Sequence, residues 1–421
     1  MAKPEGHSLA RNVTAAFGGE AIQALLSVAI FFGIFFQLSD EQWGLYVAVT
    51  ATGLILGTLA NLGSQELLLR NVSRGADLAN EWGQTLVTQL GGTVVGIAVG
   101  LAVRPLFFAE LDLVTSGLLL AINIFAFWTV EATVRVGQAI KDLAIGTQSR
   151  LLFALARLGG VAAFFVLGTG EVSHYALFAF PLALAGAVTA ILVTSSYAGA
   201  APRLAIPSTE RLRRGLPFVG TAGAQDLLAG FDRPLLSANG FVVETGQYGI
   251  ADRVVRMASI PTMALVRATA ADFFQTGEKR DRQSLDLAVR FAKPAIAYGM
   301  VASLGLIFGA WLFDDRLPDR FDPVLPMLAA LAALTTLHAV QLFPANLLTG
   351  TDRQTLRLVL YLFAVGVNIG LNIMWIPRWN WRGAAAATLV AESLLAITLW
   401  LVAWKVSEPD KVREDQGVAS E

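Results

Sequence analysis

The 421-residue sequence contains no cysteine and only three histidines. Disulfides, thiolate metal sites and thiol nucleophiles are therefore excluded, and three scattered imidazoles make no metal-ligand cluster, so no metal site is expected. Charge is scarce too. Asp, Glu, Lys and Arg supply 15% of the residues against 55% that are hydrophobic, and the mean hydropathy is +0.59, more apolar surface than a water-soluble domain of this size tolerates. No His pair, Ser/Lys dyad or metal motif marks the chain as an enzyme. A net charge of -1 gives no reason to expect nucleic acid. The first twelve residues are polar and carry no small-residue cleavage site behind an apolar core, so the first helix is expected to stay as an uncleaved anchor.

What the chain has in quantity is apolar length. A run of ~20 residues crosses a ~30 Å hydrocarbon core, and such runs recur at 13–36, 44–62, 85–107, 114–134, 151–167, 175–194, 216–241, 247–266, 292–313, 324–348, 358–376 and 383–403. The pattern predicts an all-α polytopic membrane protein with about twelve transmembrane helices. Cytoplasmic loops hold an excess of Lys and Arg. With the N-terminus inside, 23 of the 31 basic residues fall in the N-terminal segment, the even-numbered loops, the tail and adjoining helix ends. Five fall outside (Arg104, Arg316, Arg320, Arg378, Arg382) and three, Arg233, Arg253 and Arg256, within spans. Both termini are expected in the cytoplasm.

A stretch with Pro202, Arg203, Pro207, Ser208, Arg211, Arg213 and Arg214 separates two sets of six spans. It divides the chain into an N-terminal six-helix bundle (1–200), a cytoplasmic linker (201–214), a C-terminal six-helix bundle (215–405) and a cytoplasmic tail (406–421). Gln42-Trp43-Gly44-Leu45 resembles Gln247-Tyr248-Gly249-Ile250 at an offset of 205 residues. Glu20 then falls beside Asp226. Halves with an even number of spans are parallel repeats about an axis along the membrane normal, as in transporters that rock two bundles about a central site.

Several segments, in order, carry a family likeness: Leu38-Ser39-Asp40-Glu41-Gln42-Trp43-Gly44-Leu45-Tyr46, Asn61-Leu62-Gly63 with Arg70, Phe231-Asp232-Arg233-Pro234-Leu235-Leu236, and Asn372-Ile373-Met374-Trp375-Ile376-Pro377 with Gly383-Ala384-Ala385 and Ala387-Thr388. The chain resembles the Wzx-type polysaccharide and oligosaccharide flippases of the multidrug/oligosaccharidyl-lipid/polysaccharide (MOP) exporter superfamily, with a MATE-like fold. The resemblance implies transfer of an undecaprenyl-diphosphate-linked oligosaccharide from the cytoplasmic to the periplasmic leaflet of the bacterial inner membrane, for O-antigen or exopolysaccharide synthesis. It implies membrane lipid, a polysaccharide polymerase with its chain-length machinery, and H+ or Na+ as partners, and no cofactor. The turn Arg378-Trp379-Asn380-Trp381-Arg382 departs from the family by being more aromatic and basic, which suits anchoring at the membrane interface.

Charges at membrane depth face protein or water rather than lipid. Arg256 lies about ten residues into the eighth span, hence ~15 Å deep, and Arg253 one turn shallower. Their i, i+3 spacing puts them on one face, where guanidinium forks match diphosphate oxygens, and Arg233 on the seventh span joins them as the expected anion site. No other span is expected to bury a basic residue deeply. The alternative is structural, with Arg256 neutralising Asp252 at i+4 and Asp232 and Arg233 finding partners on adjacent helices. Glu20, Asp226, Asp232 and Asp252 are the candidates for coupling or gating, Glu20 and Asp226 as binders of a cation or proton or as interhelical hydrogen-bond acceptors. Glu131, Glu392 and His338 are expected to be solvated, packed or hydrogen-bonded. A cation-coupled multidrug exporter of the same superfamily and a non-transporting scaffold of polysaccharide assembly are the rival readings. A reporter fused after Arg214 is expected to read as cytoplasmic and one between Asp314 and Asp322 as periplasmic; finding both on one side would rule out twelve alternating spans.

Overall fold

The computed structural model describes residues 22–23, 25–277, 281–314, 316–351 and 353–407. Helices and short connections account for all of them, with no strand among the described residues. Two compact units divide the chain, Met1–Gly246 and Gln247–Glu421.

In the first unit the helices begin where a short polar side chain can accept from a free N–H of the first turn. After α1 (Leu25–Gln37), Ser39 accepts from Gln42 at the start of α2 (Asp40–Ala60). α3 (Ser64–Ser73) follows without a side-chain cap. Asp77 caps α4 (Leu78–Phe107) and Asp112 caps α5 (Leu113–Ala121). Hydrogen bonds from the Thr115 hydroxyl at 2.5 Å and from the Thr115 and Val114 amides hold the Asp112 carboxyl below its ordinary range. A π-helical turn, Ile122–Ala126, joins α5 to α6 (Phe127–Ala139). α7 (Leu143–Leu167), capped by Asp142, packs along α8 (Val172–Ala198), and Ser208 caps α9 (Thr209–Gly230). α10 (Asp232–Ala238) continues α9 after a break, and both lie against α2.

α11 (Val242–Ala258) begins in the first unit. There the Trp43 indole donates to the Gly246 carbonyl at 3.0 Å, and a Cβ on Gly44 would stand 1.8 Å from the Val242 carbonyl oxygen, so only glycine admits this contact. The second unit holds the rest of α11, then α12 (Ile260–Gly277), α13 (Asp281–Leu312), α14 (Val324–Leu331), α15 (Ala333–Gly350), α16 (Gln354–Trp379) and α17 (Trp381–Ser407). α13 packs on α12 and α15, α16 on α17, and α15 on α17.

Nine stretches among the described residues are long and apolar enough to cross a membrane. The chain is a multi-pass membrane protein. The other three expected spans are helical as well but differ in kind. Only the later part of the first lies in the described residues, as Leu25–Gln37. The seventh and eighth, at α9–α10 and α11–α12, hold Asp226, Asp232, Arg233, Asp252, Arg253 and Arg256 and fall short because their helices are broken into shorter pieces and carry these charges. Those two helices are where the sequence places the candidate site.

Packing of α4 on α2 turns on two adjacent glycines. A Cβ on Gly92 would fall 1.9 Å from the Ala60 carbonyl oxygen, whereas one on Gly91 meets nothing within 4 Å. Small residues permit such backbone approach in membranes. Gly92→Ala is expected to lower the unfolding midpoint in detergent, at the ~1–3 kcal/mol typical of overpacking, while Gly91→Ala leaves it unchanged; equal midpoints would contradict the contact.

Candidate functional site

Proline fixes the geometry of both polar helices. In the seventh span Pro234 has no N–H to give to Gly230, and the helix breaks at Phe231. The Arg233 amide turns to Asp232 Oδ1 at 2.9 Å, and Arg233 Nη2 donates to the Ala229 carbonyl at 2.9 Å in its place. Arg233 Nε stands 3.7 Å from Asp232 Oδ1, with both side chains largely buried. These bonds hold Arg233 and Asp232 to their own helix. Two turns earlier Asp226 accepts from the Thr58 hydroxyl of α2.

In the eighth span the interruption is at Ser259, ahead of Pro261. The Tyr298 hydroxyl of α13 donates to the Ala258 carbonyl at 2.8 Å, repairing the acceptor that the break exposes. One turn before it, Arg256 Nε donates to Asp252 Oδ2 at 2.7 Å in an i, i+4 ion pair. The Asp252 side chain is 12% exposed and that of Arg256 42%. Arg253, one turn back on the same face, is half-buried.

Among the expected site residues the structure thus joins Asp252 to Arg256, Asp232 to Arg233 and Asp226 to Thr58. Glu20 lies outside the described residues. The acids expected to be solvated or hydrogen-bonded between helices have such partners. Glu131 takes a fork from Arg150 at 2.9 and 2.8 Å, and Glu392, buried on α17, accepts from Gln341 of α15 at 2.6 Å with His338 Nε2 3.8 Å away.

One residue contradicts the sequence reading. Arg157 was counted with the loops and no deep arginine was expected outside the seventh and eighth spans, yet it stands ten residues before the end of α7, ~15 Å along the helix and near the midplane of a ~30 Å core. Its guanidinium lies beside the hydroxyl groups of Tyr175 on α8 and Tyr46 on α2 and 5.9 Å from the centre of the Phe153 ring. Among the described residues no carboxylate pairs with it. The miscount came from the helix start: α7 begins at Leu143 and not at 151, so residues placed at its end lie two turns inside.

The fold has solved counterparts. An inward-facing multidrug resistance MATE family transporter of the MOP superfamily is similar over 94% of this chain and 96% of its own, at 15% identity and a TM-score of 0.69. The chain has the fold of a MOP-superfamily transporter. An outward-facing MATE transporter matches at 0.63 with 15% identity, over 95% and 96% of the two chains. A MOP transporter from Pyrococcus furiosus, described as having a binding pocket of reversed polarity that suggests a different function, matches at 0.55 with 15% identity, again over 95% and 96%. No protein-family model and no curated protein matches the sequence.

The Asp226–Thr58 contact separates charge from hydrogen bonding. Asp226→Asn keeps an acceptor for Thr58, whereas Asp226→Leu removes it. The Leu variant is expected to lose ~0.6 kcal/mol of stability, up to ~1.7, the range of interhelical hydrogen bonds in membranes, and the Asn variant close to none. Equal loss in both, read from unfolding midpoints, would mean that the carboxylate charge is itself structural.

Proposed function

We propose that this protein exports an anionic lipid-linked oligosaccharide, a polyprenyl-diphosphate glycan moved from the cytoplasmic to the outer leaflet of a bacterial inner membrane. The observation that carries the reading is Arg256. At mid-span depth 42% of its side chain remains exposed, and a cation there is too costly to face lipid tails, so it faces an aqueous passage. Arg253 on the same face supplies a second fork of donors suited to phosphate oxygens. Within the first unit, Arg157 is itself a deep cation, and Arg233 is the candidate on the seventh span. Direction follows from charge: an anion leaving an inside-negative cell gains ~2.3 kcal/mol per charge per 100 mV. Glu20, Asp226, Asp232 and Asp252 supply carboxylates for H+ or Na+ exchange. A polymerase with its chain-length machinery would take the product.

A second reading, a cation-coupled multidrug exporter, is favoured by the description of the inward- and outward-facing neighbours as multidrug resistance transporters. Positive charge at mid-depth repels cationic drugs, which favours the anion reading. The P. furiosus neighbour, with its reversed pocket polarity, offers a precedent for a different cargo on this fold.

If Arg256 binds substrate, export at matched protein levels should fall in the order wild type, Arg256→Lys, Arg256→Ala. The alanine variant should lose about tenfold or more, the value of a charge-assisted hydrogen bond of ~1.5–3 kcal/mol. If Arg256 only neutralises Asp252, the double change Asp252→Asn with Arg256→Gln restores what either single change loses. Full rescue, or efflux of cationic dyes without export of lipid-linked oligosaccharide, would overturn the reading.

A further inference from the structure

The first unit carries an apolar groove that the arginine site leaves unexplained. Its volume is about 480 Å³, and it lies between α2 and α4 with Leu56, Leu59, Val87, Val95 and Val99 among its walls. Pro207 and Leu212, from the connection before α9 and its first turn, close one end. Along α4 it runs from Val87 to Val99, twelve residues or ~18 Å, close to half of a ~30 Å hydrocarbon core. One leaflet is therefore its depth. Gly91 opens it, since nothing lies within 4 Å of where its Cβ would be, and Gly92 beside it seals α4 onto the Ala60 backbone.

Charge identifies the occupant. Residues 199–215 hold four arginines, Arg203, Arg211, Arg213 and Arg214, and one acid, Glu210. Arg211 is used internally by Glu81 and Thr85, Arg214 pairs with Glu210 at 2.9 Å, and Arg203 stands 3.9 Å from Asp77. Arg213, adjacent to the groove residue Leu212, is exposed and makes no ion pair among the described residues. An apolar channel of one leaflet's depth with a basic lip fits a hydrocarbon chain bearing a phosphate head.

We propose that this groove binds the polyprenyl tail of the lipid-linked substrate, with exposed Arg213 beside Leu212 meeting the diphosphate before the head group moves on to Arg253 and Arg256. The proposal rests on the export function above and adds where the hydrocarbon part is held while the head group is moved. Tail and head then have separate sites, and variants of one leave the other in place.

The test uses full-length protein in phosphatidylcholine vesicles with a photoreactive, diazirine-bearing polyprenyl diphosphate, mapping the labelled peptides. Label is expected on α2 and α4. Gly91→Trp fills the groove and should reduce labelling about tenfold, equivalent to ~1.4 kcal/mol. Gly370→Trp, at an equally open position on α16, should leave it unchanged, and Arg213→Glu should weaken labelling by the diphosphate but not by the uncharged polyprenol. Labelling elsewhere, or undiminished in Gly91→Trp, overturns the groove. Displacement by phosphatidylglycerol as effective as by unlabelled polyprenyl diphosphate also overturns it and assigns the space to bulk phospholipid. The two readings fail separately: groove labelling without export refutes the export function alone, and wild-type export and labelling in Gly91→Trp refute the groove alone.

Discussion

In a hydrocarbon medium a backbone carbonyl without a donor costs several kcal/mol, and water is not there to supply one. Several polar side chains among the described residues are placed where they meet that need. At the break before Pro234 the donor comes from Arg233, and at the break before Pro261 from Tyr298. Where α14 gives way to α15, Ser303 of α13 donates to the Ala332 carbonyl at 2.7 Å. At the π-helical turn, Gln89 of α4 reaches the Ile124 carbonyl and Asn123 reaches Leu119, both at 2.8 Å. The break in the seventh span is thus held in shape by its own Arg233 and that in the eighth by Tyr298 of α13, which lets polar residues sit at fixed positions in mid-span.

That dependence explains what the sequence made legible. Apolar length, counted against bilayer thickness, located the spans but not their starts: Asp77, Asp142 and Ser208 cap helices that begin seven or eight residues ahead of the apolar runs at 85, 151 and 216. Hydropathy does not report where within a helix the chain breaks, because Pro234 and Pro261 act through acceptors on the preceding turn, served by Arg233 of the same span in one case and by Tyr298 of α13 in the other. Nor does it say whether a residue near a span boundary lies in water. Arg157 was visible as a letter and misplaced by two turns, since its partners Tyr46 and Tyr175 lie 111 residues before it and 18 after it. The Asp252–Arg256 pair, by contrast, is local, and i, i+4 spacing alone disclosed it.

Charge is distributed in two ways. Pairs such as Glu131–Arg150 tie helices together and spend their charge on one another. Arg256, although paired through Nε with Asp252, keeps its head accessible. A protein that only needed cohesion could put apolar residues at such a position with little loss of stability, and it is on this accessible cation that the proposed anion passage rests.

The tyrosine cradle of Arg157 has a consequence for biogenesis. An arginine at the centre of a helix resists insertion by ~2.5–3.5 kcal/mol. Tyr46 belongs to α2 and is made earlier, but Tyr175 belongs to α8 and is made after α7 has left the ribosome. Until α8 arrives, α7 enters the bilayer with half of its polar complement, and the close packing of these two helices over their length makes them one insertion unit, a hairpin whose second arm completes the solvation of the first.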